Sequence, residues 1–527
     1  MTVRNSSQLS SLLPHIIALW QQVLPASRAE VDTHFFLDGG DSLQLTRLLL
    51  RVHQHLGVEL RLQDLPHYST PGKMARWCAS LGASVATPVQ PPATEVTSAA
   101  KEFVANSSQQ GLWWSEQQSR VGNLYNSGVV IALHGPLQPD VLSAAVAALQ
   151  QQFSLLTMAL QLDVGRRQLL VRRASTPPRS EEPGALSVVG LSIIDLPVAD
   201  LPLFAASWAA EPFDLACTLF RCRLVRHDAS HHSLLLCGHH CVLDGWSGMV
   251  LLQQVALNYQ ALFTNRSWQP PVVDTAFATH CHRQQQRFAS DLHQRQLVWW
   301  QQYLGSASSL SADLPWQPRA QQWPYRLQRL QYQLPEPLIP RLQELCAASQ
   351  CTLFAVLATA LALALRRIGN NVALPIGFPV AGRANVAEEQ SVGCYMQLLP
   401  LLLDADDSQP LPMQLAYLHE SIQQVLSHAI PLPELVRALR PPVLADGNAW
   451  FDIVLALQNF PVAQCDWSPL AASWQVLPAT HGQYLLKFEV AGACINVEYA
   501  ADVVPATDIN TLVEWMEGAL QKLVDAL

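Results

Sequence analysis

Apolar residues near the start of the chain recur at helical spacing in two stretches. Leu12, Leu13, Ile16, Ile17, Trp20, Val23 and Leu24 share one helical face, and Leu45, Leu48, Leu49, Val52 and Leu56 share another. Two amphipathic helices need a partner. A shorter one, started by Ser69-Thr70-Pro71 and carrying Met74, Trp77 and Leu81, closes a small bundle over residues 8–82. Residues 83–100 then turn rich in Ala, Pro, Thr, Ser and Val, with hardly any charge and no periodicity, and read as an extended linker. From 101 onward strands alternate with helices. Strand patterns at 128–133, 219–225 and 233–237 interleave with helical ones at 140–153 and 249–262, predicting a first αβ lobe over 101–272. The rhythm repeats with strands at 327–334, 372–379, 453–458, 485–490 and 495–499 and helices at 338–346, 352–368 and 509–523, a second lobe over 273–527.

Composition narrows what such a chain does. With 527 residues, half of them hydrophobic, it has material for large cores. The net charge of -9 is dispersed, with no basic block, so neither a nucleic acid nor an anionic membrane is indicated as partner. The apolar run Leu353 to Leu365 is too short for a membrane span and ends in Arg366-Arg367, so a buried helix is expected. The polar start, Met1 to Ser11, shows no secretory signal. Eleven cysteines, an odd number without regular spacing, suit free thiols in a reducing cytoplasm better than a disulfide framework.

Two segments carry candidate chemistry. His239-His240-Cys241-Val242-Leu243-Asp244-Gly245 follows a strand pattern and precedes a helical one, so it sits where a rigid strand fixes an imidazole and a turn leaves it reachable. Three readings compete there. Cys237, His239, Cys241 and Asp244 would make a metal site, but no Cys-x-x-Cys or His-x-x-x-His partner supports one, and no metal is expected. Alternatively the His pair is buried and hydrogen-bonded while Asp244 caps the following helix. The third reading is acyl transfer. The other segment, Gly39-Gly40-Asp41-Ser42-Leu43, opens the second amphipathic helix; alone it reads as a tight turn followed by a cap.

The flanks of both segments resemble nonribosomal peptide synthetases. Phe35-Phe36-Leu37 before Gly39-Gly40-Asp41-Ser42-Leu43 matches the peptidyl carrier pattern, with Asp38 where Gly is usual. Residues 101–527 resemble the condensation domain of the same synthetases, whose core motif is H-H-x-x-x-D-G. Glu211-Pro212-Phe213-Asp214-Leu215 and Leu219-Phe220-Arg221 lie upstream of that motif, and Trp246-Ser247, Trp299-Trp300, Gly382-Arg383, Val392-Gly393 and Gln458-Asn459 follow in family order. The resemblance implies a small all-α four-helix carrier bundle followed by a two-lobed α/β condensation domain of the chloramphenicol acetyltransferase-like fold. It implies a 4′-phosphopantetheine arm on Ser42, and an ion pair between Asp244 and Arg383 across the lobes. It also gives Trp246 and Ser247 a place in the tunnel or acceptor site.

The implied activity is that of an acyltransferase forming an amide from a carrier-bound thioester. An acceptor amine attacks as a neutral nucleophile and gains positive charge as the bond forms, so a neutral imidazole suits it as base or positioner. His240 is the candidate for that role, with His239 supporting it. Backbone donors around Gly245 face the developing oxyanion, and Asp244 organises the loop. The implied partners are a phosphopantetheinyl transferase, an adenylation domain or upstream module that loads the carrier, and a downstream acceptor carrier or soluble amine. Ester formation with a hydroxyl acceptor and a non-catalytic docking platform are the alternatives. An epimerase is disfavoured by the order Gly245-Trp246-Ser247, and a heterocyclising relative by the His pair. Departures from the family pattern leave the substrate open: Gly111 replaces an arginine, Gln151-Gln152 replace Arg-His, and Met396-Gln397-Leu398 replace Val-Asn-Thr.

Overall fold

The computed structural model describes residues 2–24, 28–35, 42–58, 60, 68–83, 102–174, 191–264, 272–305, 314–316, 323–369, 373–404, 408–441, 443–444, 446–458 and 465–526. The linker expected over 83–100 lies outside them apart from Ala83. At the N-terminal end the helices Thr2–Val23, Ser42–Leu56 and Pro71–Ser80 pack Leu12, Ile16 and Trp20 against Leu48, Val52 and Met74. The Trp20 ring meets Phe35 edge-on at 5.2 Å. Thr70 starts the third helix by accepting the Lys73 N–H, and Pro71 occupies its first turn, as the sequence signal predicts. That helix stops at Ser80, which leaves Leu81 exposed instead of on the buried face.

The first lobe is built on a five-stranded sheet in the order Ala471–Val476, Asn126–His134, His231–His239, Phe220–Arg226, Ser192–Asp195. Its middle strand is buried from His232 to His239 because both faces are covered. Leu234 and Leu236 point into the main core beneath the helices Pro139–Gln152 and Gly245–Phe263, while Leu235 and Cys237 point to a smaller core under Leu201–Ala210. A covered strand of this kind reads as a continuous apolar run and delivers whatever stands at its end to a fixed place. His239 is that end.

The second lobe holds a seven-stranded sheet, ordered Gln397–Asp404, Ala373–Val380, Ile453–Leu457, Leu486–Ala491, Cys494–Ala500, Tyr325–Gln333, His481–Gly482. Across it lies the helix Leu353–Arg366, capped by Thr352 and packed against the C-terminal helix Ala506–Asp525. Its Ala- and Leu-rich surface is buried almost throughout, as the apolar run predicts. Among the described residues no single helix is long and apolar enough to cross a membrane. One strand crosses between the lobes: Ala471–Val476 comes from the second lobe's stretch of sequence and pairs antiparallel with Asn126–His134 of the first sheet, Ala471 opposite His134. The lobes thus share a sheet as well as a cleft.

Burial separates two substitutions cleanly. Phe488, on a central strand of the second sheet, is fully buried, and Leu203 is 81% exposed. We expect Phe488→Ala to cost about 3–5 kcal/mol and Leu203→Ala no more than about 0.5 kcal/mol in denaturant unfolding followed by tryptophan fluorescence; equal losses would contradict this placement of the core.

Candidate active site

Strand His231–His239 ends at a tight turn that separates the two histidines. The His239 ring is fully buried: Nδ1 accepts the Cys241 N–H at 3.1 Å, which leaves Nε2 to face the Glu116 carboxylate at 3.4 Å. His239 therefore braces the turn. Glu116 comes from the helix Ser107–Gln118, whose start is fixed by a capping box between Asn106 and Gln109. Gln109 also donates to the Cys241 carbonyl at 2.7 Å, and Asn106 donates to the Cys394 carbonyl of the second lobe at 2.8 Å. Gly111 lets this helix approach the second-lobe helix Leu432–Leu439, because a Cβ there would stand 2.5 Å from Pro433.

His240 is half-buried and lines a cavity of about 1450 Å³ between the lobes. Its backbone N–H donates to the Tyr125 carbonyl at 2.9 Å. Its Nδ1 lies 3.1 Å from the Leu243 carbonyl, which can only accept, so Nδ1 carries the hydrogen and Nε2 is left as an acceptor. Burial, then the neighbouring His239 and Lys487, pushes the imidazole down to about 4 from an ordinary 6.5. The ring is neutral over the physiological range. Lys487 lines the same cavity and holds Glu489 at 2.6 Å and Glu498 at 3.6 Å. Burial opposes its charge, but those two carboxylates outweigh it and raise the ammonium above its ordinary value.

Asp244 follows the turn and caps the helix Gly245–Phe263 by accepting the Ser247 N–H. Its carboxylate is buried and receives Arg383 of the second lobe in a fork, Nη1 to Oδ2 at 2.8 Å and Nη2 to Oδ1 at 3.2 Å. The backbone N–H groups of Tyr395 and Met396 donate to Oδ2 at 3.1 and 3.2 Å, and the Ser247 hydroxyl donates to Oδ1 at 2.7 Å. Burial alone would raise this carboxyl, but Arg383 and Ser247 hold it below its ordinary value. The structure therefore brings Asp244 and Arg383 together where the resemblance implied they meet.

Other expected site residues fall as follows. Gly245 opens the helix and is exposed to the cavity. Trp246 also lines it and donates its indole N–H to the Glu389 carbonyl at 2.8 Å. Ser247 was expected in the tunnel or acceptor site; it is fully buried in the joint between the lobes instead, where its Oγ accepts the Gly393 N–H at 3.0 Å. Ser42 begins the helix Ser42–Leu56, and 36–41 lie outside the described residues. Leu45 and Arg47 of that helix line the cavity that holds His240. Among the described residues no cluster of three His, Cys, Asp or Glu is arranged to hold a metal ion.

A further tie between the lobes has no signature in the sequence. The Tyr125 hydroxyl donates to Gln483 at 2.6 Å; Gln483 donates to Asn448, which donates in turn to Asp446 and Asp452. Burial, then the adjacent Asp446, pushes the Asp452 carboxyl well above its ordinary value.

The chain matches the family model for the condensation domain over residues 99–525 and that for a phosphopantetheine attachment site over 14–78. It is 28% identical over 530 residues to a probable non-canonical nonribosomal peptide synthetase, CymA, of Salinispora arenicola, covering 96% of this chain and 7% of the relative. It is 26% identical over 483 residues to a dimodular nonribosomal peptide synthase of Bacillus subtilis, covering 90% of this chain and 20% of that protein. The chain thus spans no more than about a fifth of the length of either relative. Among solved structures, the X-domain from teicoplanin biosynthesis superposes with a TM-score of 0.71 at 18% identity over 82% of this chain and 97% of the other. The first condensation domain of the CDA synthetase does so at 0.64 and 19%, over 81% and 97%. The fold is that of condensation domains.

Two outcomes test this geometry. Gly382 sets Arg383 with φ +66°, and a Cβ there would stand 2.0 Å from the Tyr395 carbonyl oxygen; we expect Gly382→Ala to cost about 2–4 kcal/mol of unfolding free energy. Because the folded protein holds His240 near 4, below its ordinary 6.5, its contribution to stability is complete above 6.5 and lost as pH falls toward 4. In acid titrations of unfolding over that window, wild type should lose more stability than His240→Asn; parallel curves would contradict the depressed imidazole.

Proposed function

Since the chain belongs to the condensation-domain family and carries a phosphopantetheine attachment site ahead of that domain, we propose that it joins a carrier-bound acyl or peptidyl group to an acceptor amine. The carrying observation is the orientation of His240: its Nδ1–H is spent on Leu243, and its free Nε2 sits in a cavity that the Ser42 helix also lines. The residues of that helix suit the group the family model names. Ser42 stands at its amino end, where backbone N–H groups favour a phosphate. When attached there, 4′-phosphopantetheine supplies the acyl group as a thioester.

The chain's own residues do the rest. His240 Nε2 accepts a hydrogen bond from the incoming amine and keeps its lone pair aimed at the carbonyl carbon. An imidazole held near 4 is a weak base, so positioning the neutral amine outweighs full proton abstraction; as the C–N bond forms and the thioester C–S bond breaks, the proton lost by the amine passes through water to the departing sulfur, which leaves as a thiol. Gly245, at the helix start, offers its backbone dipole to charge developing on the carbonyl oxygen. Asp244 and Arg383 keep the two lobes, and with them the turn that carries His240, in register. A docking platform without chemistry has no use for a neutral imidazole aimed into a cavity, and this favours catalysis. A hydroxyl acceptor would use the same geometry to give an ester.

The partners that this reading requires are a phosphopantetheinyl transferase for Ser42, an adenylation domain or upstream module that loads it, and a downstream acceptor carrier or soluble amine. A cytoplasmic location goes with these partners and with its free cysteines.

The test loads the chain with acyl-pantetheine from the coenzyme A thioester and follows amide products by mass spectrometry. Wild type should gain the arm and form product, Ser42→Ala should gain no mass, and His240→Ala should load and stay folded yet lose about 100-fold or more in rate. Unchanged turnover in His240→Ala would remove the proposed mechanism, and an arm on Ser42→Ala would remove the attachment site.

A further inference from the structure

The short helix Val386–Glu389 presents two glutamates with opposite duties. Glu388 faces inward: it pairs with Arg283, lies 3.4 Å from His280 Nδ1, and accepts the Ala384 N–H at 2.6 Å. Glu389 faces the carrier. Arg51 Nη2 lies 2.8 Å from its Oε2 and Arg47 Nε 3.4 Å from its Oε1, so the carrier supplies a cation to each oxygen. Its side chain is only 6% exposed with the carrier in place, and the two arginines 14% and 16%. A carboxylate so covered is costly unless paired. The arginines stand one helical turn apart on the helix that Ser42 begins, and Gln22 fixes the Arg51 fork by accepting its Nη1 at 2.8 Å.

The contact reaches further inward. The Arg47 guanidinium sits 5.3 Å from the Trp246 ring centre, and Arg383, the partner of Asp244, sits 5.4 Å from the same ring. Trp246 is itself tied to the Glu389 carbonyl. One end of the docking contact is therefore the residue two beyond Asp244 in the chain.

We propose that Glu389 is the carrier-recognition residue of this condensation domain. It selects donor carriers that present basic side chains at the fifth and ninth positions beyond the pantetheine serine, here Arg47 and Arg51. This rests on the reading of Ser42 as the attachment site. A carrier with acidic or neutral residues at those positions would leave Glu389 uncompensated and Trp246 without its outer cation, so it would dock poorly however similar its core.

The test uses the full chain, acylated at Ser42 and verified by intact mass, and compares single-turnover product formation with turnover of an acyl-pantetheine thioester supplied in solution. Glu389→Arg should slow transfer from Ser42 about tenfold or more, as loss of a covered charged pair predicts, while the rate with the soluble donor stays at wild type. Adding Arg47→Glu and Arg51→Glu to Glu389→Arg should restore most of the lost rate. Glu389→Gln, which keeps the shape, should give a smaller loss in the same direction and replaces Glu389→Arg should that variant fail to fold. Recovery of nothing by the charge swap, or an unaltered Ser42 transfer rate in Glu389→Arg, would overturn the proposal. Should wild type turn over neither donor, the condensation reading falls instead. Hydrogen exchange across 47–51, faster in Glu389→Arg and slowed again in the swap, then still decides the docking contact, and an unchanged exchange rate rejects it.

Discussion

The rest of the site depends on one buried ion pair. Asp244 and Arg383 stand on opposite lobes, and taking two charges out of water costs several kcal/mol for each ion. The geometry offsets that cost by satisfying every oxygen: Asp244 receives the Arg383 fork, the Ser247 backbone and hydroxyl, and two backbone N–H groups of the second lobe. A network satisfied to this degree is rigid, and a partly satisfied one would be a liability. Its position gives that rigidity a purpose. Asp244 adjoins Leu243, whose carbonyl fixes the tautomer of His240, so the joint between the lobes and the orientation of the imidazole are parts of one turn.

Two further constraints act on that turn from outside. His239 holds it from below through the Cys241 N–H, and Tyr125 holds the His240 backbone while its hydroxyl reaches Gln483 of the second lobe. The lobes also share the strand Ala471–Val476. The cleft is therefore tied at several places, and an imidazole kept neutral by burial faces a cavity whose wall carries the Lys487 cation and its two carboxylates.

Much of this was legible in the sequence, for stated reasons. The covered strand before His239 reads as an apolar run, Gly245–Phe263 follows at helical spacing, and Thr70-Pro71 announces a helix start. Arg383 was reachable only through resemblance, because nothing in the pattern relates residues 139 positions apart. Other parts left no trace in residue type. Tyr395 and Met396 reach Asp244 through backbone N–H groups, which any residue but proline would supply. The crossing strand Ala471–Val476 is exposed at every position, so it shows no alternation. Ser107–Gln118 is polar on most sides, yet Asn106 with Gln109 forms a capping box that would have marked its start and led to Glu116. Gly111, read as a lost arginine, is the close approach to Pro433.

The central claim is that Asp244 and Arg383 act as one unit holding His240 in working orientation, and a double-mutant cycle measures this directly. Single-turnover rates would be compared for wild type, Asp244→Asn, Arg383→Gln and the double variant. The account predicts that the double variant loses little more than either single one, a coupling of about 2 kcal/mol or more. Additive losses, with no coupling between the two positions, would contradict it.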